Sequence, residues 1–383
     1  MIVKSLLDLD VYKLSMGKVI FHKYPTSQVE YKFTCRSKGV DLLPYMDDIK
    51  QEILSLGSLE LSPDEHTYLK EIRFLDPAFV DFLNQLHLCP SEQVQIFNDG
   101  NNLGITIKGS YLQVIWYETM ILSIVNEIFF RDKMKKPDAI KAAKDKLAPK
   151  ILLLEQNPGV KLSEFGTRRR HSYEVQDMVV AALRHLPNLN GTSNVHLAMK
   201  YGIKPMGSQA HEYFQHAQTI YRVQDSQKMA LKIWAEEFDG DLGIALTDTL
   251  NMDSFLRDFS KFYAKLFDGC RHDSGDPIVW GNKLIKHYES LGIDPKTKAA
   301  IFSDGLTIER AIEIYEYFKG RINVSFGIGT SLTCDIPGLN PLSIVIKMSS
   351  ANGQSCAKIS DSPSKCICDN PTYVSYLKQA FGI

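Results

Sequence analysis

Arg271-His272-Asp273-Ser274-Gly275-Asp276-Pro277 sets a cation, carboxylates, a hydroxyl and a permissive glycine side by side. The stretch follows an apolar run and a helical run that begin near residue 240. A packed core has no use for so many polar groups together, because each buried one needs its own partner. A ligand with several anionic groups and hydroxyls, such as a sugar phosphate, does. The same grammar recurs from about residue 160 onward, where short apolar runs end in polar, Gly-rich loops and alternate with helical stretches. The other run ends are Phe165-Gly166-Thr167-Arg168, Asn190–Asn194, Met206-Gly207-Ser208-Gln209-Ala210-His211, Thr247-Asp248-Thr249, Ser303-Asp304-Gly305 and Phe326-Gly327-Ile328-Gly329-Thr330. Repeated strand–loop–helix units predict an α/β fold with a parallel sheet. Their number predicts closure into a (β/α) barrel, whose chemistry sits on the loops after the strands.

Residues 1–110 read as a smaller α+β domain. Asp10 is a plausible N-cap for a helix running towards Tyr24, and Val29–Arg36 alternates like a strand. Val94–Phe97 and Leu103–Lys108 flank Asn98-Asp99-Gly100-Asn101-Asn102, a hairpin turn signal. Tyr111–Arg131 and Pro137–Leu154 read as long helices connecting this domain to the barrel, which completes residues 111–351. The tail, 352–383, reads as a last strand near Cys356–Ser360 and a helix that return to the N-terminal domain.

The 44 basic and 45 acidic residues nearly cancel, so no global field argues for nucleic acid or an anionic membrane as partner. Any anion must be captured locally. Lys4, Asp8 and Asp10 interrupt what would be the apolar core of a signal peptide. Glu118, Asn126 and Glu127 make Tyr111–Phe130 a buried helix rather than a membrane span. Seven scattered cysteines fit a reducing, cytoplasmic setting, and Cys366-Ile367-Cys368 lacks a second ligand pair for zinc.

Each polar cassette has a plain reading beside its functional one. Gly327-Ile328-Gly329-Thr330 is a tight turn or a phosphate cradle with an added hydroxyl. Ser303-Asp304-Gly305 is a helix cap or a second cradle beside the first. Arg169 and Arg170 fit a solvated face as readily as an inward one. Arg168, directly after the Phe165-Gly166-Thr167 turn, is best placed to clamp a pyrophosphate. Phe165 is core, or one face of a sandwich for a planar ring. His211 at a strand–helix junction, with Glu212 beside it, is structural or chemically active; His196 and His216 read as structural. On periodicity Tyr12 is an ordinary helix residue.

In their order, these cassettes resemble the nicotinate phosphoribosyltransferase family, a group of type II phosphoribosyltransferases. The resemblance spans Leu7–Leu14, Glu164–Arg170, Gly191-Thr192-Ser193-Asn194, Gly207–Glu212, Arg271–Pro277, Phe326–Thr330 and Asp335-Ile336-Pro337. It implies an irregular (β/α) barrel with a smaller, discontinuous α+β N-terminal domain, assembled as a homodimer with shared active sites. It also implies a reaction: nicotinate, phosphoribosyl pyrophosphate, ATP and water give nicotinate mononucleotide, pyrophosphate, ADP and phosphate. By the same resemblance Phe165 and Tyr12 of the partner subunit would stack on the pyridine ring. Arg168 and Arg271 would bind the ribosyl donor, Asp273 its ribose and Ser193 the base, with Thr192 and Ser274 among the substrate-binding residues. Asp304, Gly305, Gly327, Gly329 and Thr330 would line the 5′-phosphate site. His211 matches the histidine that ATP phosphorylates, with Mg2+ accompanying ATP and the donor.

The chemistry agrees with that assignment. The pyridine nitrogen is already a free lone pair, so the nucleophile needs no general base. The harder tasks are to stabilise cationic character at the ribose and negative charge on the departing pyrophosphate. Ser193 can donate to a nicotinate carboxylate, where the relatives that use nicotinamide carry Asp. Competing readings are a nicotinamide- or quinolinate-using transferase, a sugar-phosphate aldolase with Lys347 as its Schiff-base lysine, and a non-catalytic sensor of NAD precursors.

Overall fold

The computed structural model describes every residue except Asn101, Pro363, Ser364 and Ile367. Asn101 of the expected turn and Ile367 of the Cys366–Cys368 pattern therefore lie outside the described residues. The strands are β1 (Gln28–Cys35), β2 (Val94–Asn98), β3 (Leu103–Ser110), β4 (Leu162–Glu164), β5 (Leu189–Thr192), β6 (Ile244–Leu246), β7 (Gly269–His272), β8 (Ala299–Phe302), β9 (Asn323–Ile328), β10 (Ile344–Ala351) and β11 (Gln354–Ser355). Packing divides the chain into two compact units. The first is Met1–Pro158, Ser163–Gly207 and Ile328–Lys347; the second is Gly159–Leu162, Ser208–Gly327 and Met348–Ile383. This grouping puts residues 111–158 with the N-terminal segment, and the tail with the second unit.

In the first unit β3 lies between β1 and β2 and is antiparallel to both, with Glu30 opposite Lys108 and Ile96 opposite Ile105. Val29, Tyr31 and Phe33 alternate inward along β1, the period-2 signature that the sequence carries. Tyr111–Arg131, expected as one helix, is two: Tyr111–Val114 and Tyr117–Arg131. Residues Tyr117 to Phe130 are buried all round, so the polar ones need partners inside the protein. Asn126 Nδ2 donates to the Arg170 carbonyl at 2.5 Å, and Glu127 takes Lys136 Nζ at 2.8 Å. The helix expected from Asp10 begins at Tyr12, and no side chain caps it. The Asp10 carboxylate is turned instead to Ser193 and Arg168, a hydroxyl proton and a guanidinium competing with the cap.

In the second unit β6, β7, β8 and β9 are parallel neighbours in that order. The register is Leu246 opposite Arg271, His272 opposite Phe302, and Phe302 opposite Phe326. It lines up the C-terminal ends of four strands and the polar residues that follow each. Asp276 of the opening cassette caps the helix Pro277–Ser290, accepting from Val279 N at 2.8 Å with proline in the first turn. Among the described residues β6 has one strand neighbour, so the pairings show a parallel sheet among helices and do not establish barrel closure. Cys356–Ser360, expected as a strand, has only an isolated bridge at Lys358. The helix Pro371–Phe381 packs Leu377 and Phe381 with Leu250 and Ala357.

Candidate active site

Two clusters of functional side chains form, one in each unit. In the second unit the aligned strand ends place Asp248 after β6, Asp273 after β7 and Asp304 after β8. His211 opens the helix His211–Ile220, and its Nε2 lies 2.7 Å from Asp248 Oδ1 and 3.6 Å from Asp273 Oδ2. Lys358 Nζ lies 2.9 Å from Asp248 Oδ2 and 4.0 Å from Asp273 Oδ2. Ser274 Oγ donates to Asp248 Oδ2 at 2.6 Å, and Ser303 Oγ to Asp273 Oδ1 at 3.1 Å. Lys365 Nζ reaches Asp304 Oδ1 at 2.5 Å and the Asp273 carbonyl at 3.1 Å. His211, Asp248 and Lys358 are almost wholly buried, whereas the Asp273 side chain is 30% exposed and open to a ligand. The Arg271 Nε is buried and has no hydrogen-bond partner among the described residues.

Burial, foremost, and the Lys358 charge push the His211 pKa down to about 4, against the pull of Asp248 and Asp273. At neutral pH the ring is therefore uncharged. With Nε2–H donating to Asp248, Nδ1 carries the nucleophilic lone pair. The donor atoms of His211, Asp248 and Asp273 lie within 4.8 Å of one another, a spacing that also suits a cation. Lys358 supplies that positive charge here.

His171 and His216 are likewise held down to about 4, chiefly by burial. Unfolded, all three imidazoles titrate near 6.5, so their stability contribution is full above that pH and is lost as pH falls towards 4. Asp361, raised to about 6 mainly by burial, acts the other way over part of that window. Each histidine is worth up to about 3 kcal/mol, and at pH 5 these four groups together should take up about two protons on unfolding. Urea unfolding at pH 7 and pH 5 checks this; equal stabilities would refute it.

In the first unit, Arg168 Nε is 3.4 Å from Asp10 Oδ2 and its Nη1 is 3.9 Å from Glu118 Oε1. Glu118 also takes Lys13 Nζ at 2.7 Å and Lys347 Nζ at 3.7 Å. Burial alone would raise the Glu118 pKa most, but Lys13, Lys347 and Arg168 together hold it down at about 2. Lys13, Lys347 and Arg168 thus gather around the Glu118 carboxylate, with Asp10 on the other side of Arg168. Tyr12 lies within its own chain's cluster, its ring 5.8 Å from the Arg168 guanidinium carbon and its hydroxyl donating to Glu118 at 3.3 Å. Phe165 is half-buried, and no other ring packs against it among the described residues.

Several expected roles change when read from these contacts. Ser193 Oγ donates its one proton to Asp10 Oδ1 at 2.6 Å, which leaves only its lone pairs for another partner. Thr192 is fully buried and donates to Glu164 Oε2 at 2.5 Å, which puts it behind the open face. Ser274 is also buried, fixing Asp248. Arg170, open to a solvated reading, is wholly buried, because the equally buried Asp8 binds it bidentately at 2.6 Å through both oxygens. Gly305, at φ +62°, holds the left-handed turn after β8. A Cβ on Gly329 would lie 2.9 Å from the Phe165 carbonyl, so the chain passes too closely there for a side chain. Gly327 is buried within β9, and Thr330 opens the short helix Thr330–Thr333. Asp248, Lys358, Lys365, Glu118 and Lys13 were not predicted. Thr247-Asp248-Thr249 carried the strand-end signal that could have found Asp248; the lysines and Glu118 have no local one.

Ser193→Asp would set a second carboxylate against Asp10, a repulsion of roughly 1 to 4 kcal/mol at 4 Å. The nicotinate turnover that the resemblance implies is expected to fall about tenfold or more, and the implied ATP hydrolysis less. Unchanged nicotinate kinetics would remove Ser193 from the pocket.

Acidic, basic and histidine side chains gathered at the C-terminal ends of parallel strands are the arrangement with which α/β enzymes hold anionic ligands. The model of the Nicotinate phosphoribosyltransferase (NAPRTase) family matches residues 160–383, and that of its N-terminal domain residues 7–126. The chain belongs to the nicotinate phosphoribosyltransferase family. It is 47% identical over 390 residues to the nicotinate phosphoribosyltransferase of Cupriavidus necator, covering 100% of this chain and 99% of the relative. It is 46% identical over 396 residues to that of Burkholderia mallei, covering 100% and 98%. The crystal structure of nicotinate phosphoribosyltransferase from Vibrio cholerae superposes with a TM-score of 0.95 at 43% identity, covering 100% of this chain and 95% of that one. That from Porphyromonas gingivalis gives 0.94 at 36%, covering both chains fully.

Proposed function

We propose that this protein is an ATP-dependent nicotinate phosphoribosyltransferase, catalysing the entry step of NAD salvage from nicotinate. The observation that carries the reading is a neutral, buried His211 held by Asp248 beside the accessible carboxylate of Asp273. In the transfer step the pyridine nitrogen lone pair forms a bond to the anomeric carbon of the ribosyl donor. The bond from that carbon to the pyrophosphate oxygen breaks, and pyrophosphate leaves with the electron pair. Asp273 stabilises positive charge developing at the ribose, and Arg271 the negative charge on the leaving group. Asp304 and the backbone of Gly305 and Gly327, at the neighbouring ends of β8 and β9, would line the 5′-phosphate site. Phe165 and Tyr12 of the partner subunit would flank the pyridine ring, and Arg168 would bind the donor.

His211 has the second task. Its Nδ1 attacks the γ-phosphorus of ATP, ADP departs, and Asp248 balances the positive charge left on the ring. Water later cleaves the P–N bond to release phosphate. A phosphorylated state that binds the donor more tightly is, by linkage, favoured by the donor. Mg2+ would arrive as the counter-ion of pyrophosphate and ATP. Asp273, a hard oxygen donor with exposed surface, fits it, whereas Asp248 is already matched by Lys358 and His211. We also place the protein in the cytoplasm as a homodimer; none of its described helices is long and apolar enough to cross a membrane.

Mononucleotide formation from phosphoribosyl pyrophosphate, with nicotinate or nicotinamide and with or without ATP, tests the reading. Product from nicotinate, enhanced by ATP, is expected. Preference for nicotinamide would overturn the assigned base, and no product with either would favour the aldolase or sensor readings.

A further inference from the structure

Glu164, the last residue of β4, has no exposed surface and lies directly before Phe165. Its carboxylate accepts the Gly166 N–H, the Thr192 hydroxyl at 2.5 Å, and Gln176 Nε2 at 3.2 and 3.0 Å. Its backbone carbonyl accepts Ser193 N–H at 2.8 Å. One side chain thus ties the turn that carries Phe165, the end of β5 that carries Ser193, and the helix Tyr173–Leu183. All of its side-chain partners among the described residues are neutral donors. A carboxylate buried without a cation costs several kcal/mol, and burial, with Asp10 adding to it, drives its pKa upward. The turn has no slack to absorb a change. A Cβ on Gly166 would collide with Thr333 Oγ1, and Thr333 Oγ1 itself donates to the Gly166 carbonyl at 3.2 Å.

We infer that Glu164 is a positioning residue that sets the spacing between the Phe165 ring and the Ser193 edge, and so governs capture of the pyridine base. The inference rests on the reading of Phe165 and Ser193 as the base pocket. Glu164 does not touch the base; it acts through the loops that do. Accepting three donors on one carboxylate requires two acceptor oxygens. Glutamine keeps the shape but turns one of them into a donor that faces Gly166 N–H or Thr192 O–H.

Steady-state kinetics of the full-length Glu164→Gln protein test this. The KM for nicotinate is expected to rise about tenfold or more, with kcat and the KM for phosphoribosyl pyrophosphate within about threefold. Thr192→Val, which removes one donor to Glu164 and keeps its volume, should shift the nicotinate KM in the same direction and combine non-additively with Glu164→Gln. If Glu164→Gln does not fold, Thr192→Val alone decides. A residue with a merely structural role would lower Tm and leave the nicotinate KM of the folded enzyme unchanged, and that outcome overturns the inference. A wild-type protein that does not turn over nicotinate overturns the proposed function instead.

Discussion

Replacing His211 by alanine is expected to lower ATP hydrolysis by about a thousandfold or more, the scale on which a covalent nucleophile acts. Mononucleotide formation should persist at a low rate and lose its stimulation by ATP. The fold should tolerate the change. Asp248 keeps Lys358 at 2.9 Å and Ser274 at 2.6 Å, so no buried charge is left unmatched. Two measurements decide the matter: radiolabel transfer from γ-labelled ATP to the protein, and the ratio of product formed with and without ATP. A His211→Ala protein that still hydrolyses ATP in step with product would place the phosphoryl acceptor elsewhere. In the wild-type protein the neutral His211 imidazole also predicts an acid limb, because protonation of Nδ1 removes the lone pair. ATPase activity should decline as pH falls towards 4.

The second large effect falls on stability. Arg170→Ala removes the bidentate partner of Asp8 from a site with no exposed surface. Burial is the largest influence on the Asp8 carboxyl and would raise its pKa. Arg170, with a hydrogen bond from Asn194 at 2.7 Å, overcomes it and holds the group below the usual carboxylate range. With the guanidinium gone, Asp8 keeps among the described residues the Asn194 hydrogen bond and the more distant influence of His196, and a poorly compensated buried charge costs about 3–5 kcal/mol. Arg170 also donates to Gln176 Oε1 at 3.0 Å, so the loss spreads to the group that supports Glu164. Chemical denaturation of the variant at pH 7 measures the cost; a loss under about 1 kcal/mol would mean that the pair only breaks even against its desolvation.

Much of this molecule is legible in local sequence. Alternation along β1, the turn residues between β2 and β3, and the Asp276-Pro277 cap each act over a few residues, so reading them needs no tertiary information. The strand-end loops could be read for the same reason: an apolar run followed by Gly, Asp and Ser cannot continue as core. These features brought Arg271, Asp273, Asp304, Gly305 and His211 to notice. Tertiary structure decided which charges meet. Arg168, Arg169 and Arg170 are adjacent and chemically identical, yet Asp8 draws Arg170 wholly inside and Arg168 stands among Asp10, Glu118 and Tyr12. Lys358 reaches Asp248 from the tail, and Lys13 and Lys347 reach Glu118 from opposite ends of the chain. A lone Lys or Glu in an apolar run carries no local mark of its partner. Coulomb attraction depends on distance in space and on the dielectric around the pair, and neither is encoded in the residues on either side.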